Sequence, residues 1–199
     1  MPKQVALSFS GGKDSCLALY YLQKQGVDVK CLLTTVLEDS KETVAHNEKL
    51  ERVERQAERL DIPVYFIETN FPTYEDDFIW YISDMKQRYG IDGMAFGDIY
   101  LQGHREWGEK LAARAGVEPV YPLWSEQAKA AGWLCDFIAL GFEAEVIKVD
   151  SEKLPQNWAG RKLDQSFVSD IMTYSDVCPM GESGEYHTYV HDGPIFRPD

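Results

Sequence analysis

The chain has 199 residues, of which 44% are hydrophobic and 27% charged, a composition typical of a globular protein and unlike that of a disordered, collagen-like or disulfide-dense chain. No apolar run approaches the roughly 20 residues that a membrane span needs, and the N-terminus lacks the apolar stretch of a signal peptide, so we expect a cytoplasmic protein with no membrane partner. Asp and Glu outnumber Lys and Arg by 33 to 20, and this net charge of -13, without any basic run, argues against nucleic acid as the main partner.

The first half of the chain alternates predicted strands with predicted helices. Short apolar strands are expected at 5–9, 29–37, 64–67, 93–96 and 117–121. Helices are expected over 13–25 and around 50–60, 78–89 and 107–115, where apolar residues recur mostly at spacings of three and four. Such alternation predicts an α/β fold built on a parallel sheet, with helices on both faces and ligands beyond the carboxyl ends of the strands.

The pattern changes from about residue 122, so we expect one domain over 1–121 and a smaller part over 122–199. A helix is expected over 125–140, followed by a strand over 142–149. Asp164 is expected to cap a last helix, and the remainder is rich in Gly, Pro and Asp. The buried face of the helix over 125–140 is predicted to carry Ala131, Leu134, Cys135 and Ile138.

Four cysteines occur, at positions 16, 31, 135 and 178, and none of them forms a Cys-x-x-Cys pair. No histidine stands at zinc spacing from them. We therefore expect four reduced thiols, most of them buried.

The most informative stretch is Ser10-Gly11-Gly12-Lys13-Asp14-Ser15, between the first strand and the first helix. Glycines allow a tight turn there, and the helix N-terminus offers N–H groups and a positive dipole end. The serine hydroxyls and the charge of Lys13 complete an anion-binding turn suited to phosphate. Its spacing is that of neither a Walker A loop nor a dinucleotide fingerprint. Asp14 would be unfavourable beside phosphate unless it caps the helix or holds Mg²⁺.

A second signature, Gly181-Glu182-Ser183-Gly184-Glu185-Tyr186-His187-Thr188, lies near the end of the chain. Two carboxylates three residues apart could bind a metal, an ammonium group or an amine, or serve as a general base. They could also merely make an exposed loop soluble. His187 is either a proton carrier or a hydrogen-bonded surface residue.

The first motif resembles the PP-loop of the N-type ATP pyrophosphatases, and together with the second signature the chain resembles the diphthine–ammonia ligase family. The turn Gly97-Asp98-Ile99, the group around His104-Arg105, Pro122-Leu123-Trp124 and Gly160-Arg161 also fit that family's layout. Archaeal and eukaryotic members have Glu where this chain has His187, a departure typical of the bacterial branch. The resemblance implies a doubly wound parallel sheet of the adenine nucleotide alpha hydrolase-like type, with a small C-terminal α+β part.

The resemblance implies an ATP-dependent ligase that adenylates a small-molecule or protein carboxylate, releases pyrophosphate and passes the acyl group to ammonia or an amine. ATP and Mg²⁺ would be the cofactors, with Asp14 as the metal contact. Residues 1–121 would be the ATP-binding domain and 122–199 the substrate-binding part. Phosphate contacts are expected from Ser10, Gly11, Gly12, Asp14 and Ser15, aided by Lys13; nucleotide contacts from Thr34, Thr35, Gly97 and Asp98; and catalytic contacts from Arg105, Glu182, Glu185 and His187.

Two other functions remain open from the sequence. A PP-loop enzyme that modifies tRNA would favour a basic surface and, for many thiolation enzymes, paired cysteines, neither of which this sequence indicates. A non-catalytic adenine-nucleotide-binding module would bind ATP without releasing pyrophosphate. The acceptor, the source of ammonia and a homodimeric state are left open.

Overall fold

A five-stranded parallel sheet forms the centre of the computed structural model, which describes residues 2–37, 43, 49–70 and 72–198. Its strands are β1 (Gln4–Ser8), β2 (Asp28–Leu37), β3 (Val64–Thr69), β4 (Gly93–Ala95) and β5 (Glu118–Val120). They lie in the order β3-β2-β1-β4-β5, and each neighbouring pair is parallel. The parallel sheet predicted from the alternating pattern is therefore confirmed.

Helices cover both faces of this sheet. They are α1 (Lys13–Lys24), α2 (Leu50–Leu60), α3 (Tyr74–Tyr89) and α4 (Gln102–Ala115). The first two pack into one apolar core, and the last two into a second core. Val5 and Leu7 of β1 belong to the first core and Ala6 to the second, because successive side chains of a strand point to opposite faces. The doubly wound arrangement is thus confirmed.

The strand order reverses beside β1, since β2 lies on one side of it and β4 on the other. Loops that leave β1 and β4 therefore diverge and open a crevice at the carboxyl edge of the sheet. Residues 10–15, here called the 10–15 loop, leave β1, and Gly97 and Asp98 follow β4. Two of the three segments predicted to bind nucleotide consequently start at this crevice, and the third, Thr34 and Thr35, lies within β2.

The C-terminal part adds two helices and a two-stranded antiparallel ribbon. Its elements are α5 (Ala130–Ala139), β6 (Glu143–Val149), α6 (Gln165–Ile171) and β7 (Tyr186–Asp192). Asp164 caps α6, because its Oδ1 accepts the N–H of Phe167 at 2.9 Å, as the sequence predicted. The sequence did not predict β7, although Tyr186, Thr188 and Val190 are all buried.

The helix expected over 125–140 is shorter than predicted, and its buried face is different. Residues Gln127–Lys129 form a 3-10 turn before α5 begins. Leu134 is buried as expected, but its buried partners are Ala130 and Phe137, one residue before the predicted positions. Cys135 is exposed in consequence, whereas the other three cysteines are buried and all four are free.

The first core continues from the sheet into the C-terminal part. It joins Leu17 of α1, Leu134 of α5, Phe167 of α6 and Val190 of β7. The two parts therefore share apolar packing and do not form separate cores. None of the helices in the described portion combines the length and the apolar character that crossing a membrane requires.

Candidate active site

A cleft of about 590 Å³ opens at the crevice between β1 and β4. The 10–15 loop forms one wall, the segment that follows β4 forms a second, and residues 181–184 with the start of β7 form a third. Groups from three distant stretches of the sequence therefore face one another. The predicted site residues that line the cleft are Ser10, Asp14, Ser15, Gly97, Asp98, Glu182 and His187.

Two glycines shape the 10–15 loop. Gly11 has a φ of +77°, which a side chain would strain, and an added Cβ would lie 2.3 Å from Oε1 of Gln56. Gly12 is the N-cap of α1 and has no side chain with which to cap it. Ser15 Oγ donates to the Gly12 carbonyl at 3.0 Å and lies 3.4 Å from Ser10 Oγ. The turn thus places two hydroxyls and the start of α1 at the cleft, an arrangement suited to an anion.

Gly97 brings the second wall against the first. A Cβ added there would lie 3.1 Å from the carbonyl carbon of Asp14 and 3.3 Å from the amide nitrogen of Ser15. These neighbours are backbone atoms of the first turn of α1, so they cannot swing aside as a side chain could. The absence of a side chain at Gly97 therefore permits Asp98 to lie beside Asp14 in the cleft.

Lys13 and Asp14 form an ion pair at the start of α1. Lys13 Nζ lies 3.0 Å from Asp14 Oδ2 and 4.6 Å from the centre of the Tyr186 ring, and the lysine is 2% exposed. The lysine thus faces Asp14 and Tyr186 and does not line the cleft. Asp14 Oδ1 is buried and accepts no hydrogen bond from the described residues. Burial raises the pKa of Asp14, although Lys13 opposes that change.

Asp98, His104 and Glu182 form a cluster in the lining of the cleft. One ligand atom of each lies within 4.8 Å of the others. His104 Nδ1 is 3.1 Å from Asp98 Oδ1, and Glu182 Oε1 accepts the N–H of Ile99 at 2.8 Å. The hydrogen bond to Asp98 raises the pKa of His104, whereas burial, followed by the charge of Asp14, raises the pKa of Glu182 to about 7. This cluster can exchange a proton near neutral pH.

The structure separates the two acids of the second signature. Glu185 is 5% exposed, and its two oxygens accept the N–H groups of Cys178 and Ser183, each at 2.9 Å. Glu185 therefore holds the backbone of the turn together and does not line the cleft, whereas Glu182 does. His187 also lines the cleft, and burial, with a smaller effect of Lys13 and Lys148, lowers its pKa to about 4. Its imidazole is consequently neutral at pH 7.

Besides Lys13, Glu185 and the two glycines of the 10–15 loop, three more predicted site residues lie outside the lining of the cleft. Thr34 is 2% exposed, and its Oγ1 donates to the Phe9 carbonyl at 2.6 Å, which ties β2 to the end of β1. Thr35, the next residue, is hydrogen-bonded to Tyr74. The third residue is Arg105, whose Nε donates to Glu109 Oε1 at 2.7 Å and whose guanidinium lies 4.8 Å from the centre of the Trp124 ring. Nucleotide or substrate contacts from these three residues stay predictions.

Two buried residues next to the loop had no predicted role, although one of them, Thr188, ends the second signature. Gln56 Nε2 donates to the carbonyls of Gly11 and Val190 at 2.9 and 2.7 Å, and Thr188 Oγ1 accepts the N–H of Lys13 at 3.0 Å. A signal for Gln56 was present, because it interrupts the apolar face of α2 that otherwise carries Val53, Ala57 and Leu60. A polar residue on such a face needs a buried partner.

The chain resembles known proteins along most of its length. It is 27% identical to a diphthine–ammonia ligase of Danio rerio, over 94% of this chain and 82% of that protein. It is 24% identical to the enzyme of that name from Homo sapiens, over 98% and 80%. It is also 35% identical to tRNA-specific 2-thiouridylase MnmA 1 of Clostridium botulinum, over 89% of this chain but 46% of that protein.

Models of protein families agree with the architecture. The diphthamide synthase N-terminal domain matches residues 3–119, which contain the first four strands of the parallel sheet, most of β5 and the 10–15 loop. The diphthamide synthase C-terminal domain matches residues 130–198, which contain the second signature. Residues of both matched segments line the cleft. This chain belongs to the diphthamide synthase family.

Proposed function

We propose that the chain is an ATP-dependent, amide-forming ligase of the PP-loop type. A substrate carboxylate attacks the α-phosphorus of ATP, which gives an acyl-adenylate and releases pyrophosphate. Ammonia or an amine then attacks the carbonyl carbon, AMP leaves, and a proton is lost from the nitrogen. Relatives named diphthine–ammonia ligase that align with nearly the whole chain support this reaction class.

The observation that carries the proposal is the cleft shared by the 10–15 loop and Glu182. A carboxylate does not react with an amine at neutral pH without activation, and a shared cleft lets the amine meet the acyl-adenylate where it forms. The loop supplies hydroxyls and a helix N-terminus for the phosphates, while Glu182 faces them across the cleft. Catalysis by these groups would consist mainly of positioning and of neutralising charge.

Glu182 is our candidate for the proton acceptor in the second step. Its pKa of about 7 lets the carboxylate accept a proton from the attacking nitrogen and return it to solvent at neutral pH. The His104–Asp98 pair lies beside it and can pass that proton outward, since His104 is partly exposed. His187 is less suited to this step because its imidazole stays neutral down to about pH 4.

The residues of the cleft fit Mg²⁺. Asp14 Oδ1 is a buried carboxylate oxygen without a hydrogen-bond partner among the described residues, and magnesium prefers oxygen ligands. We assign Asp14 as the protein contact of the metal. Bound there, Mg²⁺ would neutralise charge on the phosphate oxygens of ATP.

The acceptor is proposed to be a carboxylate related to diphthine, the substrate in the names of the relatives. His187, where archaeal and eukaryotic members of the family have Glu, is neutral at pH 7, so the cleft has one negative charge fewer than theirs. A less acidic cleft favours an acceptor with less positive charge. We therefore propose that the acceptor of this chain differs from diphthine in the part that lies near His187, where it carries less positive charge.

The experiment that tests the function follows the products of ATP. The purified chain is incubated with ATP, Mg²⁺, ¹⁵N-ammonium chloride and a small-molecule extract of cells. We expect AMP and pyrophosphate in equal amounts, together with one metabolite that gains ¹⁵N as an amide. Formation of ADP and phosphate, or AMP formation without any labelled amide, would contradict the proposal.

A second candidate is thiolation of tRNA, which the identity to the thiouridylase favours. Against it, none of the four cysteines lines the cleft. Burial also raises the pKa of Cys31 to about 12, so its reactive thiolate is scarce at pH 7. This rival requires ATP consumption that depends on added tRNA and leaves sulfur in the RNA, whereas the ligase requires neither.

A further inference from the structure

Strand β7 makes three contacts with the 10–15 loop. The N–H of Lys13 donates to Thr188 Oγ1 at 3.0 Å, and the Lys13 ammonium lies over the ring of Tyr186. The N–H of Val190 donates to the carbonyl of Gly11 at 3.1 Å. Successive inward-facing residues of one strand therefore hold the loop's backbone and its lysine.

Thr188 supplies the N-terminal capping contact that the N-cap residue of α1 cannot make. Helices begin with N–H groups that lack partners within the helix, and a side chain at the N-cap commonly accepts one of them. Gly12 has no side chain, so the acceptor comes from a residue 175 positions further along the chain. Because Thr188 is 1% exposed, water does not readily replace its hydroxyl.

Gln56 joins the same contacts from the side of α2. Its Nε2 bridges the carbonyls of Gly11 and Val190, so one amide group holds the loop and β7 together. Its Oε1 lies 2.3 Å from the position that a Cβ on Gly11 would take. Gln56 is 2% exposed, and its side chain therefore fixes the position of Gly11 from a buried site.

We infer that Thr188 and Gln56 are positioning residues that set the shape of the 10–15 loop for the phosphates of ATP. Neither residue lines the cleft, so both act through the backbone of Gly11 and Lys13. β7 also continues from the turn that carries Glu182, so the two sides of the cleft are joined through one strand. The inference rests on the proposed use of ATP.

The test compares ATP with adenosine, which lacks the phosphates. Dissociation constants of both are measured by calorimetry for the full chain, and melting temperatures are recorded in parallel. For Thr188→Val we expect about a tenfold loss of ATP affinity and less than a twofold change for adenosine. Thr188→Ser keeps the hydroxyl and should restore ATP affinity to within twofold of the wild type. Gln56→Met removes both donors and should behave like Thr188→Val.

Thr69→Val is the matched control. Thr69 is also fully buried, and its Oγ1 donates to the Asn70 carbonyl and to Asp77 Oδ2, away from the cleft. The Thr69→Val variant should have a lower melting temperature and an unchanged ATP affinity.

Wild-type ATP affinity in a folded Thr188→Val chain, or equal losses for ATP and adenosine, would overturn the inference. If Thr188→Val does not fold, Gln56→Met decides by the same comparison. If the proposed function were wrong, the wild-type chain itself would release no pyrophosphate from ATP.

Discussion

Glu182 and Glu185 stand three residues apart and occupy opposite environments. Both oxygens of Glu185 accept backbone N–H groups, so this carboxylate holds the backbone of the turn together. Glu182 has one such bond, lies in a cluster with Asp98, and lines the same cleft as Asp14. The environment of each carboxylate, and not its place in the motif, therefore separates a structural acid from a candidate base.

Glu182→Gln should alter how stability depends on pH. Ionising Glu182 is harder in the folded chain, where its pKa is about 7, than at its ordinary value of 4.5. The folded chain thus holds an extra proton between these values, and the free energy of unfolding falls as pH rises through them. Between pH 5 and pH 8 the free energy of unfolding should decrease by about 1–2 kcal/mol less in the variant than in the wild type. Urea titrations at the two pH values measure this difference. Identical pH dependence in both proteins would refute the assignment.

Asp14→Asn tests the metal contact. The amide keeps an oxygen for the Lys13 ammonium but removes the charge of the buried Oδ1. Pyrophosphate release should fall by about 100-fold or more while the chain stays folded. The control is Asp28→Asn, an exposed acid at the far end of β2 that pairs with Lys30. Turnover within a factor of three of the wild type would exclude Asp14 from this role.

At the scale of elements, the sequence predicted most strands and helices, because apolar periodicity is a local signal. The 10–15 loop was predictable for the same reason, since its chemistry lies in six consecutive residues. β7 was missed because its alternation sits among Gly and Pro, and the face of α5 was wrong by one residue. The contact of Gln56 with Gly11 joins positions 45 residues apart, which no local pattern specifies.

A pair of glycine variants tests how tightly the β4 segment packs on α1. Gly97→Ala would bring a Cβ within 3.1 Å of the Asp14 backbone, so we expect lower stability and weaker ATP binding. Gly103→Ala meets nothing within 4 Å inside α4 and should be neutral or stabilise the chain by about 0.5–1 kcal/mol. Denaturant titration and calorimetry measure both effects. Equal behaviour of the two variants would show that the close approach is unimportant.

At the scale of the whole molecule, one core spans both parts of the chain. It contains Leu7 and Leu17 of the sheet domain with Phe137, Phe167 and Val190 of the C-terminal part. We therefore expect a single cooperative unfolding transition, with coincident curves from far-UV circular dichroism and tryptophan fluorescence. Two separated transitions would show that the C-terminal part folds on its own and that β7 does not hold the loop.

The central claim is that the 10–15 loop binds the phosphates of ATP in the cleft that Glu182 faces. A crystal structure with Mg²⁺ and α,β-methylene-ATP, which cannot be cleaved between those phosphates, tests it most directly. We expect phosphate oxygens within hydrogen-bond distance of the loop, Mg²⁺ on Asp14, and the α-phosphorus turned toward Glu182. Nucleotide bound elsewhere, or with its phosphates pointing away from the loop, would contradict the claim.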